Sequence, residues 1–187
     1  MSPDLDQRNG WPAELRELLE HYPRDTWAAH DCSMAQFWLE IHDGFRRECV
    51  ALQADIDDYR HERAAMAEFA VRSSSRLHRM IFHLHGHHQI EDFHYFPSFR
   101  AAEARLAAGF DTLGADHEQL QRDIAAALDA SGTFLSAAHT AGVESSTAQR
   151  HAADRYIAAS ETLYRRLCRH LNDEEDLIVP LMIARGA

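Results

Sequence analysis

The sequence predicts an all-α fold, an up-down-up-down four-helix bundle with a short N-terminal capping segment. Two observations lead to this prediction. Four stretches after residue 32 carry apolar residues in alternating steps of three and four, the spacing of one face of a packed α-helix. No stretch of any length alternates apolar and polar residues as a half-buried strand does. We therefore expect residues 1–32 to form a lead-in and residues 33–187 to form the bundle, as a single domain.

Composition and charge narrow the classes of partner. The chain has 187 residues and a net charge of −11, so we expect neither a nucleic acid nor an anionic membrane surface to bind it. No apolar run approaches the length of a membrane span, and the N-terminus lacks a signal-peptide pattern. The three cysteines (Cys32, Cys49 and Cys168) are isolated and predict reduced thiols in a cytoplasmic protein. Histidine is the unusual residue, with 14 copies.

The lead-in contains one short helical pattern between breaks. Glycine and proline interrupt the segment and favour turns. The breaks are Pro3, Gly10, Pro12 and Pro23. Apolar residues between them predict one short amphipathic helix. These residues are Trp11, Leu15, Leu18, Leu19 and Tyr22. Because the segment directly precedes the first long helix, we expect it to cover that end of the bundle; the alternative is contact with a partner.

Each of the four predicted long helices carries one row of core positions. Helix A carries Trp38, His42, Phe45, Cys49, Leu52 and Ile56. Helix B carries Leu77, Met80, Leu84, His87, Glu91 and His94, and is expected to end before Pro97. Helix C carries Phe110, Leu113, His117, Leu120 and Ile124. Helix D carries Tyr156, Leu163, Leu167, His170, Glu174 and Leu177 or Leu181.

Two stretches of eleven residues repeat one pattern. Residues 87–97 read HHQIEDFHYFP and residues 170–180 read HLNDEEDLIVP. In both, a histidine is followed four residues later by a glutamate, then by an acidic residue, with a proline six residues after the glutamate. Four residues are about one helical turn, so each histidine and its glutamate lie on the same helix face. Imidazole and carboxylate are both donors of transition-metal sites.

Six ionisable residues occupy core positions in the four rows, and one shared metal site would explain them together. A buried ionisable group is costly unless it is paired or binds a metal. In an up-down-up-down bundle, the starts of helices A and C and the ends of helices B and D lie together. The predicted metal ligands are His42, His87, Glu91, His117, His170 and Glu174. If they share one level, the turns fall near residues 65, 103 and 144; only the first has no glycine or proline nearby.

The motifs resemble those of the hemerythrin-like, or HHE cation-binding, family over about residues 33–182. They are IHDGF at His42, HHQIEDFHYFP, DHEQL at His117 and HLNDEEDLIVP. The resemblance implies a non-haem di-iron centre with an oxo or hydroxo bridge. By the same resemblance, Glu91 and Glu174 would bridge the irons, and His42, His87, His117 and His170 would be terminal ligands. Manganese or zinc would fit the same donors.

The chain departs from the oxygen-carrying members of that family at two places. Where those proteins have a second histidine on helix C, this chain has Gln121, and helix D carries HxxxE in place of HxxxxD. His88 lies about 60° round the helix from Glu91 and is a further candidate ligand; the alternative is a surface histidine. Three acidic residues either form a solvated face or orient ligand imidazoles. They are Asp92, Glu175 and Asp176.

The expected function is that of a di-iron protein that binds or reacts with oxygen, nitric oxide or hydrogen peroxide. The alternative is an iron-storing or iron- or oxygen-sensing module without turnover. No catalytic residue is predicted, because no nucleophile lies beside a general base in the motifs. Since Gln121 is a poor ligand, we expect an open position that favours reaction with peroxide or nitric oxide over reversible oxygen binding. The sequence leaves the oligomeric state open.

Overall fold

The computed structural model describes residues 5–139 and 147–186, and within these ranges the chain is all-α, as predicted. The α-helices are α1 (Glu17–His21), α2 (Ser33–Arg60), α3 (Met66–Ile90), α4 (Phe96–Ala102), α5 (Ala107–Ala138) and α6 (Thr147–Arg185). A π-helical segment, Glu91–Tyr95, joins α3 to α4. Three 3-10 turns span Ala13–Leu15, Arg24–Ala29 and Ala104–Leu106. Helices A to D of the prediction correspond to α2, α3, α5 and α6.

The predicted rows are confirmed as the buried faces of the long helices, apart from His87, which is partly buried, and one clear exception. The row of α2 is 0–6% exposed throughout, and the rows of α5 and α6 are buried along their whole predicted length. The exception is His94, which is exposed. A periodicity of 3.6 residues therefore located the core correctly wherever the helix is regular.

The chain divides into two compact units. The first contains residues 1–44, 87–118 and 166–187, and the second contains residues 45–86 and 119–165. The core of the first unit includes Trp11, Leu15 and Trp27 from the lead-in, packed with residues of α2, α4, α5 and α6. The lead-in is therefore an integral part of the first unit. Its helix α1 is shorter than predicted, with 3-10 turns on either side.

The second unit has an aromatic core of its own. The ring of Phe69 stacks on Tyr59 with centroids 4.6 Å apart, and it also packs against Phe134 and Tyr156. Such ring pairs add specific contacts to the apolar area that the residues bury.

The turn between α2 and α3 lies at residues 61–65, where the spacing of the ligands predicts it. No glycine is present; instead Glu62 takes the left-handed conformation, with a φ of 58°. The Arg63 N–H reaches back to the Asp58 carbonyl at 2.8 Å, closing the end of α2 as a left-handed helix cap does. The predicted break near residue 103 is also present, between α4 and α5. The turn predicted near residue 144 lies outside the described residues.

Helix α3 ends at Ile90, before Pro97 as predicted, but the chain remains helical across the proline. The backbone widens into the π-helical segment, in which the Phe96 N–H bonds to the Glu91 carbonyl five residues back. Pro97 has no N–H to donate and sits in the first turn of α4, where none is required. Because of this five-residue step, the next buried position after Glu91 is Phe96, which is 6% exposed, and not His94. This explains why His94 is exposed.

No helix in the described part of the chain is long and apolar enough to cross a membrane.

Candidate metal centre

All six predicted ligands and His88 come together in the first unit, in two groups of donors. The His42 group consists of His42, His87, Glu91 and Glu174. The His88 group consists of His88, His117 and His170. Within each group, the candidate ligand atoms lie within 4.8 Å of one another. The structure therefore brings together the residues that the sequence pattern indicates, and it divides them into two groups.

The Glu91 carboxylate faces both groups. Its Oε1 lies 2.9 Å from His87 Nε2, and its Oε2 lies 3.5 Å from His117 Nε2. Glu91 is the first residue of the π-helical segment, so the local widening of the helix begins at a candidate ligand. Single π turns inside α-helices are frequent at functional sites. One carboxylate oxygen for each group is the arrangement that a shared ligand requires.

The Glu174 carboxylate makes the equivalent connection from α6. Its Oε1 lies 3.4 Å from His42 Nε2, and its Oε2 lies 3.1 Å from His170 Nε2. The indole N–H of Trp38 donates a hydrogen bond to Oε1 at 2.7 Å and fixes the carboxylate from the side. Both halves of the sequence repeat therefore contribute a glutamate of the His42 group that also lies close to a histidine of the His88 group.

Histidines of the two groups direct Nε2 inward. His42 Nε2 lies 3.2 Å from His87 Nε2, and His117 Nε2 lies 3.1 Å from His170 Nε2. Two ring nitrogens that face each other at this distance repel one another unless a proton or a cation lies between them. This convergence is the first feature of the geometry that fits a metal.

Three of these imidazoles use Nδ1 to bind a carboxylate outside the group. His42 Nδ1 donates to Glu175 at 3.0 Å, His117 Nδ1 to Asp92 at 2.8 Å, and His170 Nδ1 to Asp116 at 3.4 Å. We call Asp92, Asp116 and Glu175 the outer carboxylates. A carboxylate on Nδ1 fixes the tautomer and orientation of a metal-binding imidazole, leaving the Nε2 lone pair for the metal. Of the two alternatives for Asp92 and Glu175, the structure supports orientation of ligands.

Several buried polar atoms in the site have no hydrogen-bond partner among the described residues. They are both oxygens of Glu91, Oε2 of Glu174 and both ring nitrogens of His88. The short contacts of Glu91 Oε1 with His87 and of Glu174 Oε2 with His170 lack hydrogen-bond geometry, so they do not satisfy these oxygens. Buried polar groups are almost always paired, and such a cluster of exceptions calls for an explanation. Cations bound by these atoms would satisfy them, so the residues present fit a metal centre.

Burial keeps three of the imidazoles neutral. It lowers the pKa of His87 to about 3 and lowers the pKa of His88 well below its ordinary value. Burial also lowers the pKa of His117, although the hydrogen bond to Asp92 opposes the change. A metal binds the neutral form of imidazole. These three side chains therefore need no deprotonation before they bind a cation.

Three other groups of the site, His42, His170 and Glu91, have raised pKa values that favour their protonated forms in the absence of a metal. Burial would lower the pKa of His170, but Asp116 and Glu174 outweigh it and raise the pKa to about 9. Glu174 and Glu175 likewise raise the pKa of His42 against the effect of burial. Burial and the neighbouring Glu174 carboxylate raise the pKa of Glu91 well above its ordinary value. In the metal-free protein these candidate ligands therefore tend to bind protons, which cations would replace.

Gln121 is exposed, and its amide lies 3.3 Å from His85 Nδ1. The amide is therefore not among the residues of either donor group, as its poor ligand chemistry predicts. The structure instead supplies His88, a residue that is 2% exposed and whose ring stacks on His117 with centroids 4.0 Å apart. Of the two alternatives for His88, the buried position supports a ligand.

Sequence reasoning missed four side chains that support the site. They are Arg8, Arg24, Trp38 as a hydrogen-bond donor, and Asp116. The only local signal for Asp116 is its place directly before His117 in the DHEQL motif. Arg8 bonds to Asp173, 165 residues later in the chain, and no periodicity reports a contact of that range.

A sequence model of the hemerythrin HHE cation-binding domain matches residues 33–182. The chain belongs to this family. No curated protein and no solved structure matches the chain. All seven residues of the two donor groups lie inside the matched range, and the fold is all-α as the family requires. Cation binding at the clustered histidines and glutamates is therefore the chemistry that the family and the geometry share. The lead-in lies outside the match.

Proposed function

We propose that this hemerythrin-like chain is a cytoplasmic non-haem di-iron protein that binds a small ligand such as oxygen, nitric oxide or hydrogen peroxide. The supporting observation is the unequal number of imidazoles. The His88 group offers three and the His42 group offers two, while Glu91 and Glu174 face both. The His42 position therefore has one protein donor fewer, and a metal with fewer protein donors keeps a position for an external ligand.

The exposure of the imidazoles and the aromatic residues around them also favour ligand binding at the His42 group. The His87 side chain is 11% exposed, whereas those of His42 and His170 are 0% exposed. His87, in the His42 group, is therefore more exposed to solvent than His42, His117 or His170. The ring of Trp38 packs 6.0 Å from His42 and 6.2 Å from His87, and Tyr95 packs against Trp38. An aromatic wall of this kind favours a small neutral ligand over a charged one.

Iron is the proposed metal because imidazole with carboxylate suits it, and manganese or zinc would fit the same donors. A pair of irons would supply Lewis-acid and redox chemistry toward the small ligand. The protein contributes the donors, the apolar wall and the hydrogen bonds that fix the ligands. We place no catalytic acid, base or nucleophile in the site.

The buried position of His88 changes the expectation that follows from Gln121. That expectation requires a site one histidine short, and His88 supplies the imidazole. Reversible binding of oxygen or nitric oxide at the His42 position is then better supported than peroxide chemistry at an additional open position. His88 also favours the second candidate, an iron-storing or iron- or oxygen-sensing module without turnover, because a fuller set of protein ligands retains the metal.

Rapid mixing of the anaerobic ferrous protein with oxygen, nitric oxide or hydrogen peroxide tests the proposal and separates the two candidates. Ligand binding predicts a fast optical change that saturates at one nitric oxide or oxygen per pair of irons and reverses when the gas is removed. The zinc-loaded protein is the control and should show no change. A ferrous protein that holds two irons but shows no ligand-dependent spectrum would favour storage or sensing.

A further inference from the structure

We propose that Arg8 and Arg24, both in the lead-in, are positioning residues of the metal centre, one for each donor group. The inference rests on the ligand set of the proposed function. Both arginines precede residue 33, where the family match begins, so the family does not assign them a role. Each bonds to an outer carboxylate that in turn holds a candidate ligand.

Arg8 serves the His88 group. Its guanidinium donates two hydrogen bonds to the Asp116 carboxylate, one of 3.1 Å from Nη1 and a shorter one from Nη2. Its Nε donates to Asp173 at 2.8 Å. Asp116 accepts the Nδ1–H of His170, so the connection runs from Arg8 through Asp116 to a candidate ligand. Arg8 is 3% exposed, and its charge is fully committed to these two carboxylates.

Arg24 serves the His42 group. Its Nη1 lies 3.1 Å from Glu175 Oε2, and its Nε lies 2.6 Å from Asp176. The other oxygen of Glu175 accepts the Nδ1–H of His42 at 3.0 Å. Arg24 Nη2 also donates to the Asn172 carbonyl at 2.7 Å, which ties the guanidinium to the backbone of α6. The side chain of Arg24 is 44% exposed, so its contribution should be the smaller of the two.

The reason for two arginines lies in the geometry of the outer carboxylates. A carboxylate can fix an imidazole only if its own orientation is fixed. The planar guanidinium can bond to two acceptors at set angles, which the ammonium group of lysine cannot reproduce. Arg8 and Arg24 both use this property, each joining two acidic side chains of the first unit. Docking of the lead-in is thereby linked to the alignment of His170 and His42.

A matched control comes from another ion pair of the same segment. Asp6 binds Arg166 through hydrogen bonds of 3.1 and 3.2 Å from Nε, so it also holds the lead-in to α6. This ion pair is separate from the bonds that Arg8 and Arg24 make to the outer carboxylates. Asp6→Asn therefore weakens docking of the segment and leaves the connections to the ligands in place.

The experiment compares iron release from ferrous-loaded full-length protein to a colorimetric chelator. Arg8→Ala and Arg24→Ala should each accelerate release of about one of the two irons, by about 10- to 100-fold for an outer partner of a ligand. The Arg8→Ala, Arg24→Ala double variant should accelerate the release of both irons. Arg8→Lys should fail to restore slow release, and Asp6→Asn should behave as the wild type. The melting temperature of each metal-free variant is measured alongside, because a positioning role alters iron release beyond any loss of folding stability.

Release within about twofold of the wild type in both Arg8→Ala and Arg24→Ala would overturn the inference. Acceleration by Asp6→Asn equal to that of Arg8→Ala would also overturn it, since docking alone would then explain the effect. If Arg8→Ala does not fold, iron release from Arg24→Ala tests the inference, because the half-exposed Arg24 should be replaceable without loss of folding. A wild-type protein that binds no iron would overturn the proposed function as well; two tightly held irons in all variants would overturn the positioning role alone.

Discussion

The pKa values of Glu91 and Glu174 are shifted in opposite directions, although both carboxylates are buried and their ligand atoms lie within 4.8 Å of each other. Burial would raise the pKa of Glu174, but His42 and His170 outweigh it and lower the pKa well below its ordinary value. Glu91 has no such compensation: burial and the charge of Glu174 raise its pKa. Two adjacent buried carboxylates cannot both ionise without a cation. Metal binding must therefore displace protons.

Proton release on metal binding is the first prediction. Burial and the charge of Glu174 raise the pKa of Glu91, and the pKa of His170 is raised to about 9, so both groups favour their protonated forms. Because both protons must leave before cations bind, apparent affinity should rise with pH until the pH passes about 9. Titration calorimetry with zinc in buffers of different ionisation enthalpy measures the number of protons released. Binding that releases no proton and is equally tight at pH 6 and pH 8 would contradict the assigned charge states.

Stability of the metal-free protein should pass through a maximum near pH 6.5, the ordinary pKa of histidine. The folded state raises the pKa of His170 to about 9, so its stabilising effect is complete below 6.5 and is lost as the pH rises through 9. The folded state lowers the pKa of His87 to about 3, so its effect is complete above 6.5 and is lost as the pH falls toward 3. Urea denaturation at several pH values measures this profile. A flat profile between pH 5 and pH 9 would contradict it.

Metal removal should destabilise the fold strongly. A metal whose free concentration is 100 times its dissociation constant adds about 2.7 kcal/mol to the free energy of unfolding. For a chain of this size, two such metals correspond to a melting temperature higher by about 10 °C or more. Thermal denaturation of the iron-loaded and chelated protein measures the difference. An unchanged melting temperature after complete metal removal would indicate an exposed, adventitious site.

His88 and Gln121 should respond oppositely to substitution. His88→Gln removes an imidazole from the buried His88 group and should cause loss of about one of two irons on desalting. Gln121→His should leave iron content and ligand binding unchanged, because the side chain at position 121 is exposed. Metal analysis and the optical spectrum of both variants test this pair. Full iron content in His88→Gln would remove His88 from the ligand set.

Glu62→Gly should stabilise the protein by about 0.5 kcal/mol. Glu62 has a φ of 58°, a conformation that costs a residue with a Cβ about 1 kcal/mol. Glycine removes this cost, although its greater freedom in the unfolded chain cancels part of the gain. Urea denaturation compares Glu62→Gly with Glu62→Ala, which keeps the Cβ and should show no gain.

The clustering of the candidate ligands could be predicted from the sequence because each of them lies on a regular helix face. His42, His87, His117 and His170 interrupt apolar rows at positions where 3.6-residue periodicity requires core residues, and the rows are buried as expected. The repeat then linked Glu91 to Glu174. The exposed position of His94 was missed because a five-residue step follows Glu91, and a single π turn has no signature in a sequence apart from a nearby proline.

The supporting contacts could not be predicted because they join distant parts of the chain. Arg8 and Asp116 are 108 residues apart, and their pairing depends on how the lead-in docks. The lead-in has only a short amphipathic pattern, which predicts a covering element but not which polar groups it reaches. The turn at Glu62 was weakly marked for another reason: a glutamate takes the conformation that glycine usually provides.

The central claim is a pair of metals shared by Glu91 and Glu174. Its most direct test is metal analysis of the anaerobically iron-loaded protein after desalting, combined with low-temperature electron paramagnetic resonance after oxidation. We expect two irons per chain in the wild type, coupled through shared ligands and therefore lacking the signal of isolated ferric iron. The Glu91→Ala, Glu174→Ala double variant should lose the pair, while Glu161→Ala, which removes a surface partner of Arg60, should retain it. Full iron loading in the double variant, or two magnetically isolated irons in the wild type, would contradict the account.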